Sequence, residues 1–277
     1  MQNAVALGTF DGVHKGHLAV LQIPDNYKKI ALIFRIPPKC VKRGVTELLL
    51  IPEEKIAKLK NMGFQVEVLD FSEMEKLSAA EFLEYVNRRF SPALISCGFN
   101  YRFGYGGEGD TVSLGEFCGE KGIILKVANP VTEDGKTISS SLIRKLLKSG
   151  DVAHANRLLG YDFSFVSKVL KGDGRGRTLG FPTINQRYPE TLTPPKFGVY
   201  ESEIIIDSKT YKGITNIGIR PTFPSDFIIS ETFIMDFGGD LYGKDLRVSL
   251  KSFLRDEKKF SSAEELKIQV LKDIEKI

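Results

Sequence analysis

The chain has 277 residues, 42% of them hydrophobic and 27% charged, and its formal net charge is +4. This length and apolar content suit two domains, and so small a basic excess does not require a nucleic-acid partner. Cys40, Cys97 and Cys118 are too few and too far apart for a disulfide framework or a structural zinc site. With neither a signal-peptide pattern nor an apolar run of about 20 residues, we expect a soluble cytoplasmic protein without membrane partners.

The first half of the chain alternates short apolar segments with amphipathic helical patterns. A helix is predicted from Pro52, and another through Phe90 is predicted from Ser78, which forms a capping box with Glu81. Strands are predicted at residues 4–7, 30–34, 66–69, 93–95 and 123–127. This β-α-β-α order predicts a Rossmann-like domain with a mostly parallel sheet and helices on both faces.

The first predicted strand is followed by the motif Gly-Thr-Phe-Asp-Gly-Val-His-Lys-Gly-His, residues 8–17. A helix is predicted to start within this motif, near Lys15. A helix N-terminus offers unpaired N–H groups and a partial positive charge, both of which attract phosphate. Gly16 lets a phosphate approach the backbone, and His14 and His17, three positions apart, can face the same space. We therefore predict a site for the phosphates of ATP. Its residues are Gly8, Thr9, Phe10, His14, Gly16 and His17.

This motif resembles the HxGH signature of the nucleotidyltransferase superfamily. There the histidines bind the triphosphate and stabilise charge as pyrophosphate leaves, so the resemblance implies catalytic roles for His14 and His17. The competing interpretation is a pair of ordinary surface histidines beside a turn. It accounts for either histidine alone but poorly for the whole pattern.

One further glycine pattern, Gly104–Gly109, matches GxGxxG literally. A dinucleotide-binding motif of this kind joins a buried strand directly to a helix, and this segment does not. We therefore interpret it as a loop.

The second phosphate-binding segment that an HxGH enzyme needs is predicted at residues 138–144, Ile-Ser-Ser-Ser-Leu-Ile-Arg. Ser139, Ser140 and Ser141 can cap a helix over residues 141–148. Arg144 lies one turn into that helix, where its forked guanidinium can hold a phosphate during catalysis. Read alone, the segment is a capped helix with a surface arginine. Its position at the end of a domain opened by HxGH favours the phosphate role.

The sequence changes character after a helical stretch at residues 151–159, and the predicted domains are 1–158 and 159–277. Turn residues now separate β-branched and aromatic segments at 163–170, 198–206, 211–219, 231–237 and 246–254. This rhythm predicts a small antiparallel β-barrel. A terminal helix is predicted, capped by residues 261–264, with Leu266, Val270 and Ile274 on its apolar face.

A second candidate site begins at residues 171–180, which are rich in glycine and arginine and can fold over phosphates. The residues assigned to this phosphate loop are Gly174, Arg175, Gly176, Arg177 and Gly180. Thr183 and Asn185 follow two positions apart, so in an extended chain both oxygens lie on one face. Oxygen ligands of this kind, helped by phosphate, suit Mg²⁺. The competing interpretation is a flexible basic hairpin.

Together the two halves resemble the bacterial bifunctional riboflavin kinase/FMN adenylyltransferase family over essentially the whole chain. The matching segments are residues 8–17, 98–104, 138–144, 174–185, 197–200, 216–223, 230–233 and 241–260. The resemblance implies a C-terminal, riboflavin kinase-like barrel that phosphorylates riboflavin to FMN. It also implies an N-terminal domain that adenylylates FMN to FAD with release of pyrophosphate. Both steps use ATP with Mg²⁺.

The resemblance also implies roles for individual residues. Glu231 corresponds to the base that activates the ribityl hydroxyl, and Thr183 and Asn185 correspond to metal and phosphate ligands. Asn100 and Arg102 fall on the loop that helps to hold FMN and ATP, and Asn216 lies in a matching binding segment. The chain departs from the family at Ile184, at Phe233 and at Phe34–Pro38, where the usual alanine and histidines are missing. The last departure concerns the shape of the N-terminal flavin pocket.

Three alternatives compete with this reading. A nucleotidyltransferase for another phosphorylated metabolite fits HxGH, but the C-terminal motifs disfavour it. A nucleic-acid-binding protein would use the barrel and its basic loop, yet the sequence offers no aromatic and basic platform. A flavin carrier with inactive sites is disfavoured because both His17 and Glu231 are present.

Overall fold

The computed structural model describes residues 1–44, 46–172, 180–219 and 227–277. They form two compact units, Met1–Ser140 and Ser141–Ile277. Within the described ranges, no helix is long and apolar enough to cross a membrane.

The first unit is built on a five-stranded sheet in the order β3-β2-β1-β4-β5, in which all paired strands are parallel. The strands are β1 (Gln2–Leu7), β2 (Tyr27–Phe34), β3 (Gln65–Leu69), β4 (Pro92–Gly98) and β5 (Ile124–Ala128). The chain builds outward from β1 to β3 and then returns to place β4 on the other side of β1. The strand order therefore reverses between β1 and β4, which is where open α/β sheets bind their ligands.

Helices cover both faces of this sheet, as the sequence predicts. They are α1 (Lys15–Leu21), α2 (Pro38–Arg43), α3 (Pro52–Asn61), α4 (Phe71–Met74), α5 (Ala79–Phe90) and α6 (Thr111–Lys121). Alternate residues of β1 point to opposite faces: Val5 and Leu7 pack with α5 and α6, whereas Ala4 and Ala6 pack with α1 and α3. A short hairpin of β6 (Thr132–Glu133) and β7 (Lys136–Thr137) follows β5.

The predicted helix starts are confirmed. Pro52 is the first residue of α3, where its missing N–H costs no hydrogen bond. At α5, the Glu81 N–H donates to Ser78 Oγ at 3.3 Å, and the Ser78 N–H donates to the Glu81 carboxylate at 2.8 Å. This reciprocal pair is the predicted capping box.

The second unit is mainly a closed antiparallel barrel of strands in the order β10-β11-β12-β9-β8-β13. The strands are β8 (Ser164–Leu170), β9 (Thr183–Arg187), β10 (Gly198–Ile206), β11 (Lys209–Ile219), β12 (Ile228–Ile234) and β13 (Asp245–Arg255). Inside the barrel, Ser202, Thr215 and Thr232 form a chain of hydroxyls with O···O distances of 2.8 and 2.9 Å. All three side chains are fully buried, and each of these hydroxyls is hydrogen-bonded to a neighbour in the chain.

Three helices flank the barrel strands along the chain: α7 (Ser140–Ser149), α8 (Val152–Leu159) and α9 (Ala263–Ile274). The α9 cap is Ser262, whose Oγ accepts the Glu265 N–H. The observed capping pair, Ser262 and Glu265, is thus one residue later than the first and last residues of the predicted segment, Ser261 and Glu264. The Asp273 carboxylate is fully buried and accepts from Arg255 Nε at 2.9 Å, which holds α9 on β13.

The two units divide between Ser140 and Ser141, at the start of α7, whereas the sequence predicts a boundary after α8. The Asn156 side chain explains why α8 groups with the barrel. Its Nδ2 donates to the Leu250 carbonyl at 2.8 Å, and its Oδ1 accepts the Phe163 N–H at 2.8 Å. One polar side chain thus ties α8 to the start of the barrel and to β13.

Candidate functional site

The chain forms a strained turn at the carboxyl end of β1, between Gly8 and the histidine His14 that begins HxGH; we call residues 8–14 the HxGH turn. Phe10 has φ 47° and Val13 has φ 39°, a region that β-branched residues rarely adopt. Both side chains are fully buried, which holds the turn in this conformation. The Val13 N–H also donates to the Phe10 carbonyl at 3.0 Å. Strain of this kind, sustained by packing, is common where a backbone must present groups to a ligand.

The two histidines come together as the sequence predicts. His14 is the residue before α1, and its ring stacks on that of His17 with centroids 3.6 Å apart. Nδ1 of His17 is buried, and no hydrogen-bond partner for it lies in the part of the chain that the structure describes. A buried polar atom of this kind favours a ligand at the site.

Burial and nearby positive charge favour the neutral form of His17. Burial lowers the pKa of His17 well below its usual value, and the neighbouring His14 and Lys55 lower it further. Lys55 reaches the turn from α3 and donates to the Thr9 carbonyl at 3.3 Å. Sequence reasoning did not identify Lys55, because it lies far from the motif along the chain and a lysine in a helix carries no signal.

The second phosphate-binding segment lies against the first. The Ser140 hydroxyl donates to the Asp11 carbonyl at 3.0 Å. A Cβ on Gly16 would lie 3.0 Å from the Ile138 carbonyl oxygen, so any larger residue would crowd this close approach. The start of residues 138–144 is therefore placed beside the HxGH turn, as expected of two segments that share a nucleotide.

Asn100 and Arg102 follow the carboxyl end of β4, which is the neighbour of β1 across the switch point. Both are exposed, and Arg102 Nη1 lies 3.5 Å from Asp110 Oδ2. The Gly104–Gly109 segment forms a turn closed by a bridge between Phe103 and Gly109, and α6 begins only at Thr111. The segment does not join β4 directly to a helix, consistent with its interpretation as a loop.

The remaining predicted residues of this site are placed less specifically. Gly8 and Thr9 are half-buried at the start of the turn. Ser139 precedes α7, Ser141 lies in its first turn, and Arg144 lies one turn further and is half-exposed. The phosphate roles of these residues stay predictions.

In the barrel, three predicted site residues form one row across neighbouring strands. Asn216 on β11 is paired with Glu231 on β12, and Glu231 is paired with Asn185 on β9. Directly paired residues point to the same face of a sheet, and here that face is the outside of the barrel, because the alternate residues Thr215 and Thr232 are buried inside. Thr183, two residues before Asn185, shares this outer face.

This row presents oxygen atoms that suit a hard cation. Oδ1 of Asn185 and Oδ1 of Asn216 are buried and have no hydrogen-bond partner among the described residues. The Thr183 hydroxyl and the Glu231 carboxylate complete an all-oxygen donor set of the kind that Mg²⁺ prefers. These residues therefore fit the metal that the sequence predicts, with phosphate oxygens as further ligands.

Glu257 belongs to the same face and was not identified from the sequence. Its Oε1 accepts from Asn216 Nδ2 at 3.3 Å, and a Cβ on Gly218 would clash with its carboxylate. Gly180, with φ 84°, precedes β9 at the edge of the site. The predicted phosphate-loop residues Gly174, Arg175, Gly176 and Arg177 lie outside the described residues.

A strained HxGH turn at a switch point and an oxygen-lined barrel face define a two-site enzyme class, with one nucleotidyltransferase-type domain and one kinase-type barrel. Comparison with known families agrees with this division. Residues 1–142 match the FAD synthetase family, and residues 159–277 match the riboflavin kinase family.

Relatives that carry both domains cover nearly the whole chain. Proteins described as bifunctional riboflavin kinase/FMN adenylyltransferase are 33% identical in Listeria monocytogenes, over 99% of this chain and 90% of the relative, and 32% identical in Escherichia coli K12, over 97% and 90%. A solved Streptococcus pneumoniae structure titled as a macrolide-efflux protein has a TM-score of 0.91 and 30% identity, covering 99% of this chain and 93% of that one. The chain belongs to the bifunctional riboflavin kinase/FMN adenylyltransferase family.

Proposed function

We propose that this chain makes FAD from riboflavin in two ATP-dependent steps at two separate sites. The barrel transfers the γ-phosphoryl group of ATP to riboflavin, which gives FMN and ADP. The N-terminal domain then joins FMN to the AMP part of a second ATP, which gives FAD and pyrophosphate. The proposed substrates are all small molecules, and the three cysteines, all free thiols, suit the reducing cytoplasm as the place of reaction.

In the kinase step, Glu231 accepts the proton of the ribityl 5′-hydroxyl of riboflavin. The hydroxyl oxygen then bonds to the γ-phosphorus of ATP, and the bond from that phosphorus to the β–γ bridging oxygen breaks. Proton removal by a positioned carboxylate contributes typically ~100–10,000-fold. Thr183 and Asn185 orient the phosphates, and a bound Mg²⁺ would neutralise charge on the β- and γ-oxygens.

In the adenylyl step, a phosphate oxygen of FMN attacks the α-phosphorus of ATP, and the bond from that phosphorus to the α–β bridging oxygen breaks. Pyrophosphate leaves with its negative charge close to the HxGH turn. His14, His17 and the N–H groups at the start of α1 stabilise that charge, and Ser140 holds the second segment against the turn. No covalent enzyme intermediate is required, so catalysis rests on positioning and electrostatics.

One observation carries this proposal most directly: Asn216, Glu231 and Asn185 lie in one row on the outer face of the barrel. A carboxylate beside unpartnered amide oxygens places a candidate base and candidate metal ligands on one face, which suits phosphoryl transfer to a hydroxyl. A nucleotidyltransferase without kinase activity would have no use for it.

The direct test is a time course with purified protein, riboflavin, ATP and Mg²⁺, in which riboflavin, FMN and FAD are separated chromatographically. We expect FMN to form first and FAD to follow, with one ADP released per FMN and one pyrophosphate per FAD. A control without Mg²⁺ should form neither product. Absence of both flavin nucleotides in the complete reaction would contradict the proposal.

A further inference from the structure

Lys55 is a lysine buried inside the N-terminal unit, with only 1% of its surface exposed. Its ammonium donates to three backbone carbonyls: Phe34 at 2.6 Å, Arg35 at 3.2 Å and Thr9 at 3.3 Å. A lysine ammonium has three N–H donors, so main-chain oxygens use all of them. Lysine is rarely buried so completely unless its charge or its donors are required.

The three carbonyls lie where β1 and β2 separate. The two strands are paired in register up to Leu7 and Leu32. Thr9 and Phe34 each stand two residues further on, beyond the end of the β1–β2 ladder. Beyond this point the segment after β1 enters the HxGH turn, and the segment after β2 continues toward α2. Lys55 thus supplies main-chain hydrogen bonds at the point where the strands have stopped supplying them to each other.

The HxGH turn needs such support because two of its residues hold unfavourable backbone angles. Other contacts fix its later part: Asp11 Oδ1 accepts the Leu49 N–H at 3.0 Å, and Ser140 holds the Asp11 carbonyl. The first part of the turn is held at Thr9, whose carbonyl accepts a hydrogen bond from the Lys55 ammonium. Its positive charge also acts on His17, and therefore on the space where the triphosphate would bind.

We propose that Lys55 is a positioning residue for adenylyl transfer, which fixes the HxGH turn to the end of β2 and so aims the turn at the triphosphate. It acts through Thr9 and the turn and need not touch the substrate. This inference rests on the proposed FMN-to-FAD reaction. It assigns to α3 a part in catalysis that the HxGH motif alone does not contain.

The first test compares Lys55→Met, which keeps the apolar stem but removes the donors, with Lys60→Met, an exposed change in the same helix. For Lys55→Met we expect kcat of FAD formation from FMN to fall about 10–100-fold, because small displacements of a positioned group have effects of this size. KM for ATP should change less than kcat. Riboflavin kinase activity, measured in the same full-length protein, should stay within about two-fold of wild type.

The second test uses the wild-type protein, so it does not depend on how the variant folds. Burial lowers the pKa of Lys55 to about 8; Asp11 and Cys40 oppose this effect and Arg35 adds to it. Among the described residues, these groups and His17 are the titratable and charged ones that interact electrostatically with the ammonium. We expect kcat/KM of FAD formation, which reports groups of the free enzyme, to fall as the pH rises through about 8, because one of the three N–H donors is then lost. Cys40→Ser should retain the fall, and Lys55→Met should lack it.

The outcomes separate this inference from the function on which it rests. If the wild-type protein forms no FAD from FMN, the proposed function itself fails. If it forms FAD and Lys55→Met matches wild-type kcat, the positioning role is wrong. A Lys55→Met protein that lost both activities together would indicate a structural role only. A wild-type profile that stayed flat between about pH 7 and about pH 9.5 would overturn the inference even if the variant failed to fold.

Discussion

The surroundings of His17 favour its neutral form, because they lower its pKa well below the usual 6.5. Burial removes water from the ring, and two neighbours that carry or can carry positive charge, His14 and Lys55, lower its pKa further. Negative phosphate oxygens would reverse the effect of both neighbours. A bound anion would therefore raise the pKa of His17 and favour its protonated form.

This arrangement makes the N-terminal domain sensitive to acid. His17 stays neutral in the folded domain, whereas an exposed histidine in the unfolded chain binds a proton below its usual pKa of 6.5. The unfolded state then binds more protons, so stability falls as the pH falls through that value. We expect wild type to lose up to about 2 kcal/mol more than His17→Gln between about pH 7.5 and about pH 5.

Amide hydrogen exchange in β1 and β4 measures this difference specifically for the N-terminal domain. Exchange in the barrel strands of the same samples is the internal control, because His17 does not belong to that unit. Equal losses of protection in wild type and His17→Gln would show that His17 is not the group responsible.

The sequence predicts the two histidines but not the lysine beside them. Gly8–His17 is contiguous, so its pattern can be recognised along the chain. Lys55 meets the turn only because α3 packs near the carboxyl ends of β1 and β2, a consequence of tertiary structure. Glu257 was missed for the same reason. It lies after β13 in the sequence, and it meets Asn216 of β11 only because the folded chain brings it to the outer face of the barrel.

Among the elements, strand pairing converts distant residues into one site. Asn185, Glu231 and Asn216 come from β9, β12 and β11, and a shift of one residue in either pairing would turn one of them into the barrel. In the buried hydroxyl chain, Thr215 and Thr232 lie on the opposite face of β11 and β12, and Ser202 extends the chain to β10. These interior hydrogen bonds help to fix the register on which the outer row depends.

Asn185 is expected to matter for metal use rather than for folding. Its Oδ1 is buried and has no partner in the described ranges, so Asn185→Ala removes a ligand without breaking a hydrogen bond of that atom. We expect the Mg²⁺ concentration for half-maximal riboflavin kinase activity to rise at least about ten-fold, because even the loss of a residue that only supports a metal ligand typically costs about 10–100-fold. FAD formation from FMN should be unchanged in the same preparation.

The matched control is Thr215→Val, on the inner face of the same sheet. It leaves the hydroxyls of Ser202 and Thr232 with fewer partners, so it should lower the free energy of unfolding of the barrel by about 1–3 kcal/mol. The Mg²⁺ requirement should not change. If Asn185→Ala altered stability and left the Mg²⁺ requirement as it is, the proposed ligand role would be wrong.

Within the barrel, five of the six strands were predicted, and the exception is informative. Alternation and β-branched residues predicted β8, β10, β11, β12 and β13 to within a few residues. β9 is only five residues long, and its sequence, Thr-Ile-Asn-Gln-Arg, is too polar to signal a strand. Its place in the barrel depends on pairing with β12 and β8, and its polar residues serve the site and a buried hydrogen-bond network.

At the scale of the whole molecule, the two proposed sites use separate sets of residues. The HxGH turn and Lys55 lie in Met1–Ser140, and the row of Asn185, Glu231 and Asn216 lies in Ser141–Ile277. The change from parallel to antiparallel rhythm predicted this organisation. The helices α7 and α8 lie between the two kinds of rhythm, and the family matches, residues 1–142 and 159–277, leave most of this helical stretch between them.

The most direct test of this account is to measure both activities in two single variants of the full-length protein. Glu231→Gln should abolish FMN formation, a loss of ~100–10,000-fold for removal of a general base, while FMN-to-FAD conversion stays largely intact. His17→Ala should do the reverse, with FAD formation lost and riboflavin phosphorylation kept. If either variant, still folded, lost both activities, the account of two independent sites on one chain would be contradicted.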